Sequence, residues 1–457
     1  MFPREFEDRM RGMLGEEYPA FLLALSQPAV RGIRVNGTKL STDDFLAVTD
    51  TQPTPLSYAP DGFIPLAADE IGRSPEHHAG FFYVQDPGAM ATVNALDVGD
   101  GWWVLDTCSA PGGKSSQLAS RIGDRGFILA NEYVPKRAKI IVGNFERLGV
   151  RNALVTSLDT RELSEMYRAV FDLVLCDAPC SGEGMFRKYD AALSEWSEEN
   201  VLACAKRQSE ILENCAPCVK AGGYLLYSTC TYSYEENESI VIDFLRKHPD
   251  FSLREVKGEL KAVTRSGITG ECEYDMSLTR RFYPHAARGE GQYIALMQRD
   301  ENIDVLPTIL YKDASKPLTK EEREIIERFL SDNLTERPCG RLIKQGDGIA
   351  LVPHDCPVPR SGVFMPGVML GEIRRGNFFP HHQLFSAYGH SFKRQENLHK
   401  NDTRVSKYLF GEEIDAVETA ESGFLAVLYE GVPLGGGKAS GGRIKNHYPK
   451  GLRNTRQ

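Results

Sequence analysis

The chain has 457 residues, 41% hydrophobic and 26% charged, with 54 basic against 63 acidic side chains and a formal net charge of −9. That length predicts about three domains of ordinary globular composition, and the acidic balance excludes a protein that coats nucleic acid with its whole surface, though not one with local basic patches. No run of about eighteen apolar residues occurs, so no membrane-spanning helix is expected, and the charged start from Arg4 onward lacks an apolar signal core, which reads as cytoplasmic.

In chain order, residues 1–95 mix helical and strand patterns, with "VRGIRVNGTKL" (30–40) and "GFFYVQDPGAM" (80–90) as distinctive pieces. From 96 to 302, short β-rich runs alternate with helical ones. Strands are expected at 101–108, 126–132, 152–159, 171–179, 224–230 and 291–299, and helices at 113–123, 135–149, 197–223 and 237–248. The 197–223 helix is expected to loosen at Pro217 and stop at Gly222 and Gly223. Such alternation builds βαβ units, hence an α/β fold with a parallel sheet covered on both faces and ligands beyond the carboxyl ends of its strands. Residues 303–390 open with a helix at 319–333 and turn β-rich, and 391–457 continue in short runs broken by Gly and Pro.

Ten cysteines in a chain this long are too sparse for a disulfide scaffold. Cys215 and Cys218 form a lone C-x-x-C with no second pair, so they are expected on one buried helix face and no metal is expected. Cys176, Cys204, Cys272, Cys339 and Cys356 are likewise expected to be small buried hydrophobes. Basic residues gather late in the chain. Residues 431–457 hold no Asp or Glu but carry Lys438, Arg443, Lys445, Lys450, Arg453 and Arg456, with His447 and Tyr448 among them, and 391–407 add Lys393, Arg394, Lys400, Arg404 and Lys407. A solvated tail and a phosphate-contacting patch both read this way. Phe378 and Phe379 in "RRGNFFPHH" are expected in a core rather than as a stacking platform.

The run "VLDTCSAPGGKSSQLA" (104–119) is a strand, a Gly-containing turn and a helix start. Gly112 and Gly113 let backbone pass close to a ligand, and the N–H groups at the helix start favour a carboxylate or phosphate. The run matches neither a dinucleotide fingerprint nor a P-loop. The second strand ends in Glu132, placed to accept both hydroxyls of a ribose. The third leads to Asp159, within reach of an adenine edge, and the fourth ends at Asp177. Acids at strand ends also cap helices, so Glu132 alone decides nothing. Together the turn and the acids suit an adenosine ligand with a charged amino-acid tail, S-adenosyl-L-methionine.

"TCSAPGGKSSQLA" (107–119), "CDAPCSGEGMFRK" (176–188) and "YSTCTYSYEENE" (227–238) resemble the three signatures of the RNA (cytosine-carbon-5) methyltransferase family. "RGIRVN", "YVQDPGAM" and "RFYPHAARGEGQYIALM" extend the likeness. "GEIRRGNFFPHHQLF" and "PLGGGKASGGRIKNHYPKGLR" resemble the tail of its bacterial 16S ribosomal-RNA methyltransferase F branch, whose C-terminal module is PUA-like. The resemblance covers nearly the whole chain. It departs at Gln292 and Tyr293, where relatives often show two aromatics, and at Ser109, where alanine is usual.

The resemblance implies a class I (Rossmann-like) methyltransferase sheet at 96–302, after a small α+β N-terminal domain at 1–95. An intermediate domain at 303–390 and a PUA-like RNA-binding domain at 391–457 would follow. It implies S-adenosyl-L-methionine held by Cys108, Ser109, Ala110, Pro111, Gly112, Gly113, Lys114, Glu132, Asp159 and Asp177. It makes Cys230 the nucleophile, Cys180 the thiol that assists product release, and Asp177 a contact to cytosine N3 and N4. The implied partner is 16S ribosomal RNA or the 30S subunit, bound by a monomer.

The chemistry explains the thiols. Carbon 5 of cytosine is a poor nucleophile until a thiolate adds at carbon 6, and a free cysteine, with a pKa of about 8.5, is mostly protonated at neutral pH. Two alternatives remain at this stage: a methyltransferase acting on transfer RNA or another RNA, and a catalytically silent RNA-binding protein that keeps the shell.

Overall fold

The structure, a computed structural model, describes residues 2–66, 71–353, 356–419 and 421–454. At its centre β1 (Trp103–Asp106), α1 (Gly113–Arg121), β2 (Phe127–Asn131), α2 (Pro135–Leu148), β3 (Ala153–Thr156) and α3 (Thr160–Met166) follow one another. They are succeeded by β4 (Phe171–Asp177), α4 (Glu198–Cys215), β5 (Val219–Thr229), α5 (Glu238–Lys247) and β6 (Gln292–Arg299). Strands β5, β4, β1, β2 and β3 lie side by side in that order and run parallel, with β6 antiparallel beside β5. Alternate residues point to opposite faces. Leu105, Leu129 and Val174 pack on one side and Val104, Ile128 and Leu173 on the other, all buried, which is why these strands read as near-continuous apolar runs.

The structure corrects the sequence reading in three places. The sheet is parallel only in those five strands: Val363–Met365 adds an antiparallel edge beside β3, and Phe251–Arg254, Arg280–Phe282 and Arg265–Ser266 extend the β6 side. The helix expected over 197–223 ends at Cys215. Ala216–Cys218 form a tight turn, and Val219 already pairs with Phe171 as the start of β5. Pro217 has no N–H to continue the helix, and Gly222, at φ +73°, takes up the bulge before Tyr224. Finally, α3 occupies a stretch read as having no helix, since two parallel strands need a crossover. Cys176, Cys204, Cys215, Cys218 and Cys356 are buried, but Cys218 lies in the turn after α4 and does not share a helix face with Cys215 as expected, while Cys272 is half-buried and Cys339, in the loop before Arg341, is exposed.

The N-terminal region has two parts. Helices Arg4–Leu14 and Tyr18–Leu25 pack through Phe6, Met10 and Phe21 on Phe186, Trp196, Tyr232 and Tyr283 of the central unit. A four-stranded antiparallel sheet, ordered Thr54–Leu56, Ala59–Ile64, Gly32–Val35 and Phe82–Gln85, follows. Beyond the centre, a helix over Lys320–Asn333 opens with a capping box between Thr319 and Glu322. A four-stranded antiparallel sheet comes next, then a five-stranded one built from Gln395–Leu398, Gly423–Tyr429, Val432–Ser440, Arg443–Asn446 and Ile414–Asp415. Among the described residues no helix is long and apolar enough to cross a membrane.

Polar side chains tie these units together at helix ends, where backbone carbonyls lack partners. Lys39 Nζ shares its N–H groups among four acceptors at 2.8–3.1 Å, Ala79 O, Arg147 O, Ser386 Oγ and Pro433 O, joining four regions. Buried Asn36 donates its amide to Gly80 O and to Leu148 O, the last residue of α2, both at 2.8 Å. Asn36→Leu keeps the volume but strands both carbonyls. It should lower the unfolding free energy by about 1–3 kcal/mol in urea titrations; a change below about 0.5 kcal/mol, the range of an inert surface site, would contradict the tie.

Candidate active site

The chain reverses direction in the sheet between β1 and β4, the switch point at which open α/β sheets leave a crevice beyond their strand ends. A cleft of about 1890 Å³ opens there. Cys108, Ser109, Ala110, Pro111, Gly113, Lys114, Glu132, Asp159, Asp177, Cys180 and Cys230 all line it. Of the residues singled out from the sequence, Gly112 alone is not on its wall.

Gly112 acts from behind. At φ +103° it caps α1 in a conformation that penalises a β-carbon. A β-carbon on Gly113 would stand 3.0 Å from the Tyr83 ring. The turn is organised by Asp106, a residue the sequence reading passed over. Buried at the end of β1, its carboxyl accepts Ser115 Oγ at 2.6 Å and the Cys108 N–H at 3.3 Å. Burial pushes it up to about 7, against the opposing Ser115 hydrogen bond. Ser109 does more than replace an alanine, since its hydroxyl bonds Ser115. From the N-terminal sheet, buried Arg34 donates to Gly113 O (3.2 Å), Ser116 Oγ (2.7 Å) and Gln85 Oε1 (2.9 Å). This gives "RGIRVN" and "YVQDPGAM" a shared role in propping the turn.

Glu132 follows directly on β2 and is buried, with Oε1 accepting the Val134 N–H at 2.9 Å and Arg137 3.5 Å from Oε2. Asp159 caps α3. Its Oδ1 accepts the Arg161 N–H at 2.9 Å within a capping box with Glu162, and hydrogen bonding from Arg161 holds its carboxyl below the usual range. The capping role therefore holds for Asp159, on the same wall of the cleft.

Asp177 is the polar hub. Its Oδ1 accepts Ser228 Oγ at 2.5 Å and lies 3.5 Å from Gln292 Nε2, while Oδ2 accepts Lys114 Nζ at 2.7 Å. Burial pulls the Lys114 ammonium down, but the adjacent Asp177 outweighs it and holds the group above the usual lysine value. Ser228 and Asp177 are paired across parallel β5 and β4, so Cys180 and Cys230 leave the sheet three and two residues past one rung. Their sulfurs come within 3.2 Å as free thiols. The neighbouring Cys230 sulfur and burial push the Cys180 thiol well up, so Cys180 stays protonated at neutral pH. The arrangement presents two thiols in contact and a lysine-paired carboxylate to a single cleft.

The basic stretches are not uniformly free. Arg404 is committed to Glu396 and Asp402, Lys400 to Asp50, Arg394 to Asn333 and Phe424 O, and Lys393 to Ser331 O. Tyr448, expected beside RNA, is buried against His78, and Arg453 donates to its carbonyl. Arg443 pairs with Asp415, and Arg456 lies outside the described residues. Lys438 and Lys445 face each other across neighbouring strands, both exposed and without an ion pair among the described residues. Phe378 is buried as expected, but Phe379 is 45% exposed with the Arg374 guanidinium 5.8 Å over its ring.

Residues 93–298 match the family described as 16S rRNA methyltransferase RsmB/F. Residues 2–87 match the N-terminal domain of 16S rRNA methyltransferase RsmF, and 395–454 the methyltransferase RsmF PUA domain. The ribosomal RNA small subunit methyltransferase F of Enterobacter sp. (strain 638) is 31% identical, over 99% of this chain and 96% of its own. A solved methyltransferase homolog protein from Pyrococcus horikoshii superposes with a TM-score of 0.57 at 29% identity, over 65% of this chain and 95% of its own. NSun6 from the same organism shares the fold, at a TM-score of 0.56 and 23% identity over 65% of this chain and 98% of its own. With its three regions matched in order and a relative aligned end to end, the chain belongs to the ribosomal RNA small subunit methyltransferase F family.

Proposed function

We propose that this protein methylates carbon 5 of a cytosine in small-subunit ribosomal RNA, with S-adenosyl-L-methionine as donor. The observation that carries the reading is the 3.2 Å pair of thiols on the wall that also bears Asp177 and the α1 turn. The substrate comes from the relatives' names. The donor set fits the cofactor: Glu132 for two ribose hydroxyls, Asp159 for an exocyclic amine, and Lys114 with the N–H groups opening α1 for a carboxylate. When bound, the cofactor supplies an electrophilic methyl group on a sulfonium.

The chain's own residues do the rest. The base leaves its stack and enters the cleft. Cys230 sulfur adds to carbon 6 as its proton passes by way of Asp177 to cytosine N3, so that a C–S bond replaces the S–H bond and carbon 5 becomes an enamine carbon able to take the methyl group. Asp177, held by Ser228 and Lys114, binds cytosine N3 and N4 and offsets charge as the adduct forms. A water entering the cleft takes the carbon 5 proton, the C–S bond breaks, carbon 5=carbon 6 re-forms and the electron pair returns to Cys230. Cys180, the protonated neighbour, assists that departure. RNA phosphates meet the exposed pair Lys438 and Lys445 in the module matched to PUA domains.

Three outcomes test this. Cys230→Ala should cut tritium transfer from labelled cofactor to RNA by roughly 10⁴-fold or more while cofactor affinity is unchanged. Cys180→Ala should leave protein covalently on RNA, seen as a shifted band in a denaturing gel. If instead Cys180→Ala releases methylated product and Cys230→Ala gives the trapped band, the roles are reversed. Replacing Lys438 and Lys445 with Gln should reduce the slope of log affinity against log salt by about one per lysine, and an unchanged slope would remove that surface from the RNA path.

A further inference from the structure

Both thiols sit on loops, and a loop by itself does not fix a 3.2 Å separation. Two glutamates outside the cleft wall bind each loop to the other. Glu183, three residues past Cys180, crosses into the Cys230 loop. Its Oε2 accepts the Tyr232 N–H and the Thr231 hydroxyl, and its Oε1 the Trp196 indole N–H, all at 2.9 Å. Glu236, six residues past Cys230, crosses the other way. Its Oε2 accepts the Ser181 N–H at 2.9 Å and the Gln208 amide at 2.8 Å, and its Oε1 the Ser181 hydroxyl at 2.5 Å. A 2.9 Å bond from the Gly184 N–H to Cys230 O closes the seam, and the Ser181 and Thr231 oxygens lie 2.9 Å apart with their protons turned to the two carboxylates.

Both carboxyls are buried, at 1% and 0% exposure, and burial pushes both above the usual carboxylate range. Neither has an ion pair among the described residues. Buried carboxylates without a cation cost stability, so two in one seam need an explanation other than stability. We propose that Glu183 and Glu236 are positioning residues, a reciprocal clasp that holds the Cys180 sulfur against that of Cys230. The proposal rests on reading this pair as the reacting thiols.

The two arms differ in what they tolerate. At 183 each oxygen faces a group that only donates, the indole N–H on one side and the Tyr232 N–H on the other, so a carboxamide turns an NH₂ onto a donor in either orientation. At 236 one oxygen meets only the Ser181 hydroxyl, which can accept from an NH₂ and donate instead to Thr231 Oγ1. Glu236→Gln is therefore accommodated and Glu183→Gln is not, although both remove one charge.

Phenylarsine oxide, which bridges two adjacent sulfurs, reads the geometry in the full-length protein without any methyl transfer, with the bridged peptides mapped by mass spectrometry. Wild type and Glu236→Gln should form the Cys180–Cys230 bridge at rates within about threefold, while Glu183→Gln slows it about tenfold or more and cuts kcat up to about a hundredfold at unchanged cofactor affinity. Glu183→Gln combined with Trp196→Phe, which removes one clashing donor, should recover bridging to within about threefold of wild type. Should Glu183→Gln fail to fold, Ser181→Ala carries the test, with bridging slowed severalfold. Wild-type bridging in Glu183→Gln or Ser181→Ala, or equal slowing in both glutamine variants, overturns the clasp. Bridging in the expected pattern by a wild-type protein that transfers no methyl group overturns the reaction and leaves the clasp standing.

Discussion

The approach of the Cys180 and Cys230 sulfurs starts from one feature of the backbone, the parallel pairing of β4 with β5, on which the loop contacts then build. Parallel neighbours deliver their carboxyl ends to the same edge, so two residues fifty apart in sequence leave the sheet side by side. The rung that pairs Ser228 with Asp177 also places the hydroxyl that orients the Asp177 carboxylate. Because β1 is the other neighbour of β4, Lys114 at the start of α1 reaches that same carboxylate. One strand position thus joins the proposed cofactor turn to the thiols, and a slip of one residue would send Asp177 to the opposite face.

Much of this was legible in the sequence because the signals were local. Apolar runs leading to Glu132 and Asp177 marked strand ends, and the Gly112–Gly113 pair marked the turn. Harder to read were contacts between distant segments. Asp106 has no partner within its own strand, and its role emerges only once Ser115 folds back over it. Arg34 read as one basic residue among many, yet it is buried under the turn by a sheet that begins some eighty residues before α1. The end of α4 was misplaced because Pro217, Gly222 and Gly223 all break helices, and only the pairing of Val219 with Phe171 shows which break wins. Charge misled in the same way. Arg404 and Arg394 look like phosphate contacts in the sequence but are spent on Glu396, Asp402 and Asn333.

The modules around the central sheet share a logic. The N-terminal helices pack aromatic residues against Phe186, Trp196 and Tyr232, which belong to the loops and flanks carrying the thiols. The N-terminal sheet braces the turn through Arg34, while Lys39 and Asn36 fasten it to α2 and to the last sheet. Rigidity is thereby brought to a site whose two thiols lie on loops, a location otherwise prone to motion. The acidic total charge and the exposed Lys438–Lys445 pair are compatible, since phosphate contact needs a patch and not a basic surface.

The central claim is that the sulfur of residue 230, and not that of residue 180, bonds to the pyrimidine. Small-subunit ribosomal RNA carrying 5-fluorocytidine, incubated with the wild-type enzyme and S-adenosyl-L-methionine, halts the reaction at the bonded stage because fluorine at carbon 5 cannot leave as a proton does. Digestion and mass spectrometry then identify the modified peptide. The account predicts a methylated fluorocytidine nucleotide attached at Cys230 with Cys180 unmodified; attachment at Cys180, or no attachment to either thiol, would contradict it.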